Sequence, residues 1–251
     1  MRTWIFLRGL SRSSLHWGEF VVQFQSALPQ DAVLTLDLPG NGVLHREQSP
    51  VCVHDMVEHC RLQLSAQGVA PPYSLLAMSL GGMVAVDWAA RYPQEVVGAV
   101  LINTSLRPFN PFFERLRVHN YPLFLRLAIF RIRDEQWERS ILKITSRKGL
   151  ESVIPQWLAL RRRYPVSKLN VLRQLWAAAR FRPPTTKPGA PILVLGSDCD
   201  ELVSVKCSLA LAAQWKCSLQ VHPTAGHDLP LDDGPWVAQK VAQWICRQVP
   251  D

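Results

Sequence analysis

The sequence predicts an α/β fold, with a parallel β-sheet covered by helices on both faces and interrupted by a helical insertion. Over the first hundred residues, short and nearly continuous apolar runs alternate with amphipathic segments, which is typical of parallel strands buried on both faces. The apolar runs stop after Ser105 and resume after Pro184. A chain of 251 residues is long enough for one sizeable core with an inserted lobe.

The elements of the first part follow in order along the chain. A strand is predicted for "TWIFLRG", and after a loop the segment "LHWGEFVVQFQSAL" is amphipathic. A second strand, in "AVLTLDLPGNG", ends in a Pro-Gly-Asn-Gly turn cluster. The segment "VHDMVEHCRLQLSAQG" carries apolar residues at a helical spacing of three and four. A strand in "YSLLAM", a helix in "GGMVAVDWAARYP" and a buried strand in "VVGAVLINTS" complete this part.

The middle of the chain, residues 107–182, is Arg-rich and has no clear buried-strand run. Helical spacing recurs in "FFERLRVHNYPLFLRLAIFRI", "DEQWERSILKI" and "LNVLRQLWAAARF". The prolines of "RPPTTKPGAP" then forbid further helix. Strand and helix patterns resume in "PILVLGSDCD", "SLALAAQW", "SLQVHP" and "GPWVAQKVAQWICRQ". We therefore predict a core in two parts, 1–106 and 183–251, with a helical insertion at 107–182.

The net charge of +8 is unevenly distributed. Residues 107–182 hold 17 basic and 5 acidic side chains, a net charge of +12, and the rest of the chain carries −4. Such a basic lobe is either a solvated surface or a docking site for an anionic partner. The candidates for docking are Arg161, Arg162 and Arg163. No nucleic-acid motif accompanies the charge, so a nucleic-acid partner is not expected.

The rest of the composition is typical of a cytoplasmic protein. The apolar run near the N-terminus, Trp4 to Leu7, is too short for a signal peptide, and nothing approaches a membrane span of ~20 apolar residues. None of the six cysteines forms a Cys-x-x-Cys pair or lies near a histidine at zinc spacing. We expect reduced cysteines, a cytoplasmic location and no metal or cofactor.

The segment Ala77-Met78-Ser79-Leu80-Gly81 is the main candidate for chemistry. It lies between a predicted strand and a predicted helix, where the pattern Gly-x-Ser-x-Gly forms a sharp turn that exposes a nucleophilic serine. The positions two before and two after the serine must be small. Gly81 meets this requirement, and Ala77 adds only a methyl group. Ser79 is therefore the predicted nucleophile.

A base and an acid follow in the required chain order. His227 lies in "TAGHDLPLDDGPW", between the last predicted strand and the last helix, where it can take the proton of Ser79. His222, at the end of the strand, is the poorer candidate. Asp198 and Asp200 both lie in "VLGSDCDELVS". Asp200 is favoured as the acid that orients His227, and Asp198 stays the alternative.

An oxyanion hole needs two backbone N–H groups near the nucleophile. One comes from the residue after the serine, Leu80. The second comes from a loop after an early strand, and "FLRGLSRSSLHW" supplies that loop. Leu10, which follows Gly9, is the candidate donor.

Taken together, "AMSLGGM", "TLDLPGNG", "RYPQEVVGAVLINTS", "GSDCDELVS" and "GHDLPLDDGPWVAQKVAQWI" resemble the α/β-hydrolase superfamily over nearly the whole chain. The resemblance implies a doubly wound, mostly parallel sheet, a helical lid after the sixth strand, and a triad of Ser79, Asp200 and His227. Two residues depart from the family pattern: Arg8 stands where a histidine usually precedes the oxyanion-loop glycine, and Ala77 replaces the first glycine of the elbow.

Within the superfamily, the chain is most similar to small single-domain esterases, including those that demethylate pimeloyl methyl ester on acyl carrier protein. Three functions follow. The first is a carboxylic-ester hydrolase that acts on a small-molecule acyl ester through an acyl-enzyme. The second is hydrolysis of a methyl ester or thioester on acyl carrier protein, docked on the basic lid. The third is a non-catalytic binding protein that keeps the hydrolase fold.

Overall fold

The computed structural model describes residues 1–130, 132–148 and 150–247. Within these ranges six strands form one sheet, in the order β2-β1-β3-β4-β5-β6, and every neighbouring pair is parallel. The strands are β1 (Thr3–Leu7), β2 (Ala32–Leu36), β3 (Tyr73–Met78), β4 (Val96–Ile102), β5 (Ile192–Ser197) and β6 (Ser218–His222). The predicted fold class is confirmed.

The helices divide between the two faces of the sheet and the segment that joins β4 to β5. Those flanking the sheet are α1 (Phe20–Ala27), α2 (Val53–Ala66), α3 (Leu80–Arg91), α9 (Lys206–Trp215) and α10 (Leu229–Cys246). Between β4 and β5 lie α4 (Phe112–Arg115), α5 (Tyr121–Ile129), α6 (Asp134–Thr145), α7 (Leu150–Arg163) and α8 (Lys168–Arg180). None of the helices in the described residues is both long and apolar enough to cross a membrane.

Successive side chains of the central strands pack into two separate hydrophobic cores, one on each face of the sheet. On β1, Trp4 and Phe6 join the residues of α1 and α10 on one face, while Ile5 and Leu7 join those of α2, α3 and α9 on the other. All four side chains are fully buried. Because successive side chains of a strand point to opposite faces, a nearly continuous apolar run is what a sheet covered on both sides requires.

The helical segment between β4 and β5 follows the fourth strand of this chain, whereas the family resemblance implied an insertion after a sixth strand. Leu142 of α6 packs with Ile154 and Trp157 of α7 in a small core of its own. The segment is also tied to the main core through α8. There Asn170 Oδ1 accepts a hydrogen bond from the N–H of Ser49 at 2.9 Å.

All six strands are parallel, so their carboxyl ends lie at one edge of the sheet. The loops that leave this edge after β1, β3, β5 and β6 contain the residues that the sequence analysis selected. In open α/β sheets, ligands bind beyond the carboxyl ends of the strands. The fold therefore brings four chain segments, far apart in sequence, to one place.

Candidate active site

Ser79 occupies a sharp turn between β3 and α3. Its backbone has φ 55° and ψ −118°, a conformation that costs a non-glycine residue free energy. The Ser79 N–H donates to Ile102 O at 2.9 Å, and Ser79 O accepts hydrogen bonds from Thr104 Oγ1 at 2.8 Å and from the Gly82 N–H at 2.9 Å. The strained turn is thus fixed from both sides by the strand end and loop of β4.

The small residues around Ser79 have different roles. A Cβ on Gly81 would lie 2.6 Å from Arg8 O and would also overlap Leu7 O, so only glycine fits there. Ala77 is an ordinary β3 residue, paired with Leu7 on β1 and Leu101 on β4, with its methyl group buried. The elbow therefore requires glycine after the serine and accepts alanine before it.

The loop after β1 approaches the Ser79 side chain closely. A Cβ on Gly9 would lie 3.0 Å from Ser79 Cβ and 3.5 Å from Ser79 Oγ. Two N–H groups of this turn are engaged within the chain, since Arg12 N–H donates to Gly9 O at 3.3 Å and Ser11 N–H donates to a side-chain oxygen of α8 at 2.8 Å. Leu10 lies between Gly9 and Ser11 and borders the same cavity as Ser79.

His227 and Asp200 form a buried hydrogen bond. His227 Nδ1 lies 2.7 Å from Asp200 Oδ2, and the two side chains are 4% and 1% exposed. The other oxygen, Asp200 Oδ1, accepts hydrogen bonds from the backbone N–H groups of Leu202 at 2.7 Å and Val203 at 2.9 Å. Asp198 is exposed. A carboxylate fixed in this way holds the imidazole in one orientation and leaves its Nε2 for proton transfer.

Ser79 and His227 border one cavity of about 290 Å³ at the carboxyl edge of the sheet. Leu10 and Leu80, the predicted oxyanion donors, border it as well. Leu80 is the first residue of α3, and the first N–H groups of a helix have no partner inside it and carry partial positive charge. The cavity thus combines a serine, a carboxylate-bound histidine and a helix N-terminus.

Asn103 also supports this site, and no pattern in the sequence predicted its role. It follows β4, with φ 44°, and its Nδ2 donates to His227 O at 2.8 Å and to Ser197 Oγ at 2.9 Å. It therefore joins the end of β5 to the loop that carries His227. No local motif marks it, because its partners lie about a hundred residues further along the chain.

Arg8, which departs from the family pattern, pairs with Asp228, the residue next to His227. Its Nη1 and Nη2 donate to the two carboxylate oxygens of Asp228 at 3.0 and 2.5 Å, and both side chains are buried. The Arg8 guanidinium also lies 4.8 Å above the ring of Trp17. The departure from the family pattern at position 8 is thus matched by an acid 220 residues away.

A second buried ion pair joins the β1 loop to the helical segment. Arg12 Nη1 donates to Glu138 Oε2 on α6 at 2.7 Å, and the Arg12 guanidinium lies 4.2 Å from the ring centre of Trp157 on α7. Glu138 also lies 3.6 Å from Arg161, which in turn donates to Asp134 at 2.7 Å. Of the three candidates for docking an anionic partner, Arg161 is therefore neutralised within the chain.

The other two candidates, Arg162 and Arg163, are exposed near the end of α7. The Arg163 guanidinium lies 5.2 Å from the ring centre of Tyr164. Neither candidate borders the cavity that holds Ser79. The arrangement separates a basic surface from the chemistry-bearing groups.

A second, larger cavity of about 620 Å³ adjoins the first. Its wall is apolar for the most part and comes from α5, α6 and α8. The two cavities share six lining residues: Leu10, Ser11, Tyr121, Phe124, Ile141 and Leu175. A ligand held near Ser79 can therefore extend between these helices.

The other histidines lie outside the cavity. His16 is buried, accepts the N–H of Ser13 at its Nδ1, and packs edge-on against Trp157. Burial, with the charges of Arg12 and Arg8, holds the pKa of His16 well below its usual value. His222 contacts Asp233 at 3.2 Å. His45, His54, His59 and His119 do not border the cavity either.

Comparisons with known proteins agree with this architecture. A family model described as the alpha/beta hydrolase family matches residues 4–240. The pimeloyl-[acyl-carrier protein] methyl ester esterase of Chromobacterium violaceum is 23% identical over 249 residues, which cover 94% of this chain and 82% of that enzyme. A thermophilic esterase from Thermogutta terrifontis superposes with a TM-score of 0.73 at 19% identity, over 98% of this chain and 90% of that one.

A shorter match is found to a different enzyme class. The homoserine O-acetyltransferase of Citrifermentans bemidjiense is 29% identical over 100 residues. These residues are 40% of this chain and 25% of that enzyme. The chain thus matches about a quarter of the acetyltransferase's own length.

Proposed function

The chain belongs to the alpha/beta hydrolase family, and on that premise we propose that it hydrolyses carboxylic esters through an acyl-enzyme on Ser79. The observation that carries the proposal is the buried 2.7 Å contact between His227 Nδ1 and Asp200 Oδ2, at a cavity that Ser79 also borders. A binding protein has no need of a serine on a strained turn at the same cavity as an oriented imidazole. The non-catalytic alternative is therefore set aside.

In the proposed reaction, His227 Nε2 takes the hydroxyl proton as Ser79 Oγ attacks the ester carbonyl. The tetrahedral intermediate collapses, and the alcohol leaves with the proton from His227. A water molecule then attacks the acyl-enzyme, with His227 as base, which releases the acid and restores Ser79. Asp200 holds the imidazole in place and stabilises the imidazolium.

The developing oxyanion accepts hydrogen bonds from the backbone N–H groups of Leu80 and Leu10. The position of Leu80 at the start of α3 supports its role, since a helix N-terminus stabilises negative charge. For Leu10, support comes from the close approach of the Gly9 backbone to Ser79. The N–H groups of the next two residues are already engaged within the chain.

Residues 107–182 act as a lid in this proposal, and the 620 Å³ cavity receives the hydrocarbon part of the ester. Each CH₂ that enters such a cavity contributes about 0.8 kcal/mol, so kcat/KM should rise up to about fourfold per carbon along a series of p-nitrophenyl esters. Leu172→Trp, which places a larger side chain in the wall, should flatten this rise. Leu169→Trp, on the same helix but outside the wall, is the matched control.

A carrier-bound ester is the second candidate substrate. It is supported by the net charge of +12 on residues 107–182 and by the exposed Arg162 and Arg163. Docking of an acidic carrier protein predicts that kcat/KM for the carried ester falls steeply with added salt. Arg162→Glu with Arg163→Glu should lower it as well, and turnover of a free p-nitrophenyl ester should respond to neither. Salt-insensitive turnover of the carried ester contradicts the docking.

Turnover of p-nitrophenyl esters tests the main proposal. Ser79→Ala should lower kcat by at least about 10³-fold, because the nucleophile is removed. Ser105 borders the same cavity, so Ser105→Ala is the matched control and should keep activity close to that of the unmodified protein. Equal losses in the two variants, or none in Ser79→Ala, would overturn the proposal.

A further inference from the structure

Three arginines border the 290 Å³ cavity: Arg8, Arg12 and Arg115. Arg8 is paired with Asp228, and Arg12 with Glu138. Arg115 makes no ion pair with any residue in the part of the chain that the structure describes, and its Nε is buried without a hydrogen-bond partner. Of the three guanidinium groups, Arg115 is the one that no carboxylate of the described residues neutralises.

Arg115 ends α4, and its guanidinium is anchored at one side only. Its Nη2 donates to Ala178 O on α8 at 2.7 Å. The cavity that Arg115 borders is also lined by the apolar residues Phe112, Leu116 and Val203. The guanidinium carries five N–H groups in a planar fork, so this one contact to a carbonyl leaves most of its donors available.

The adjacent acid, Glu114, and the acid at the site, Asp200, are already engaged. Glu114 accepts from Asn110 at 2.8 Å and lies 3.7 Å from Lys206 Nζ. Asp200 receives backbone N–H groups on one oxygen and His227 on the other. Neither carboxylate pairs with Arg115.

Arg115 is only partly buried, and a partly desolvated charge without a counter-ion is less favourable than one that has a bound anion. Burial lowers the pKa of Arg115, and the neighbouring Arg107 lowers it further. Arginine nevertheless stays protonated in proteins. An anion in the cavity would replace the water that the Arg115 guanidinium has lost, through two parallel, charge-assisted hydrogen bonds. The planar guanidinium of arginine forms such paired bonds to a carboxylate or phosphate better than the ammonium group of lysine does.

We propose that Arg115 binds an anionic group, a carboxylate or a phosphate, on the same molecule as the ester that Ser79 cleaves. The inference rests on the proposed function for the ester, while the anion site itself stands on the unpaired guanidinium. It narrows the substrate class to esters with a negative charge elsewhere in the molecule, such as monoesters of dicarboxylic acids.

Kinetics with two esters of equal chain length test the charge preference. The probes are p-nitrophenyl hexanoate and the mono-p-nitrophenyl ester of adipic acid, which differ by a terminal carboxylate. Arg115→Gln should lower the ratio of kcat/KM for the anionic ester to that for the neutral one by about 30-fold, because a desolvated charge pair is lost. The loss should fall mainly on KM, and Arg115→Lys should recover part of the ratio.

Arg117→Gln is the matched control, since Arg117 lies two residues further on, pairs with Glu201 at 3.6 Å and does not border the cavity. Its ratio should equal that of the unmodified protein. A ratio that is unchanged in Arg115→Gln, or lowered equally in Arg117→Gln, overturns the inference.

Calorimetry with Ser79→Ala protein separates this inference from the proposed function. Adipate and hexyl phosphate are titrated as the carboxylate and phosphate probes. Saturable binding of adipate or hexyl phosphate that is lost in the double variant Ser79→Ala with Arg115→Gln supports the anion site, even if no ester is turned over. The tighter-binding probe shows whether the site prefers a carboxylate or a phosphate. Ser79-dependent turnover of neutral esters, without Arg115-dependent binding of either probe, overturns the anion site and leaves the hydrolase proposal standing.

Discussion

Arg8 and Asp228 form a buried, bidentate ion pair with N–O distances of 3.0 and 2.5 Å. Arg8 directly follows β1 and precedes the proposed oxyanion loop, and Asp228 directly follows His227. The pair therefore joins two segments whose relative position decides whether the histidine and the N–H donors meet one substrate. The Asp228 N–H also donates to Thr145 O at 2.6 Å, so the helical segment shares this junction.

A double-mutant cycle on this pair should show strong coupling. Arg8→Met or Asp228→Leu alone should lower the free energy of unfolding by about 3–5 kcal/mol, because each leaves an uncompensated buried charge. The double variant should lose much less than the sum of the two. Urea unfolding measures the stabilities, and additive losses would contradict the coupling. In the single variants kcat should also fall, since the loop that carries His227 loses its anchor.

The two aspartates after β5 provide a test of the proposed acid within one loop. Asp200→Asn should lower kcat by about 10⁴-fold, since an amide can hold the imidazole in the wrong tautomer. Asp198→Asn, at an exposed position, should leave kcat within about twofold. Steady-state hydrolysis of a p-nitrophenyl ester measures both. The reverse order of effects would assign the role to Asp198.

A methyl group on Gly9 should impair chemistry more than folding. The Cβ of Gly9→Ala would lie 3.0 Å from Ser79 Cβ, so the nucleophile or the loop must shift. Such displacements cost catalysis steeply, and we expect kcat to fall at least about tenfold. Gly189→Ala, where an added Cβ meets nothing within 4 Å, should keep full activity. Unaltered kcat in Gly9→Ala would show that this loop does not take part.

Acid should destabilise the protein through His16. Its pKa is lowered in the folded state by burial and by the charges of Arg12 and Arg8, so below about pH 6.5 the unfolded chain binds more protons at this site. The His16 contribution to stability is therefore present at neutral pH and decreases as the pH falls, by at most about 1.4 kcal/mol per pH unit. Urea midpoints at pH 7.5 and 5.5 measure it. His16→Gln should reduce the difference between the two pH values, and an unchanged difference would contradict this reading.

The four central strands β1, β3, β4 and β5 could be predicted from the sequence because each is a nearly continuous apolar run, which in this architecture is a direct consequence of burial on both faces. The edge strands β2 and β6 are only partly buried and contain polar residues, so their apolar pattern is weaker. Helix α7 was not among the predicted segments. Pro155 lies inside it, and its stability comes from the packing of Ile154 and Trp157 with α6. Tertiary contacts of that kind leave little local signal.

The candidate residues Ser79, Asp200 and His227 could be selected because each lies at a fixed place relative to a strand and a helix. Their supporting contacts could not be selected. The partners Arg8 and Asp228 are 220 residues apart, and Arg12 and Glu138 are 126 apart. From sequence alone, a charged residue is expected at the surface unless its partner is known. For the same reason, only the structure shows that Arg161 is paired within the chain and that Arg115 has no ion pair among the described residues.

Covalent labelling shows whether Ser79 is the nucleophile. The protein is incubated with a fluorophosphonate, its intact mass is measured, and the adduct is located by peptide mapping. One adduct per chain, on Ser79, is predicted, with none in Ser79→Ala, full labelling in Ser105→Ala, and slower labelling in Asp200→Asn. A folded protein that takes up no fluorophosphonate, or takes it up at another residue, would contradict the account.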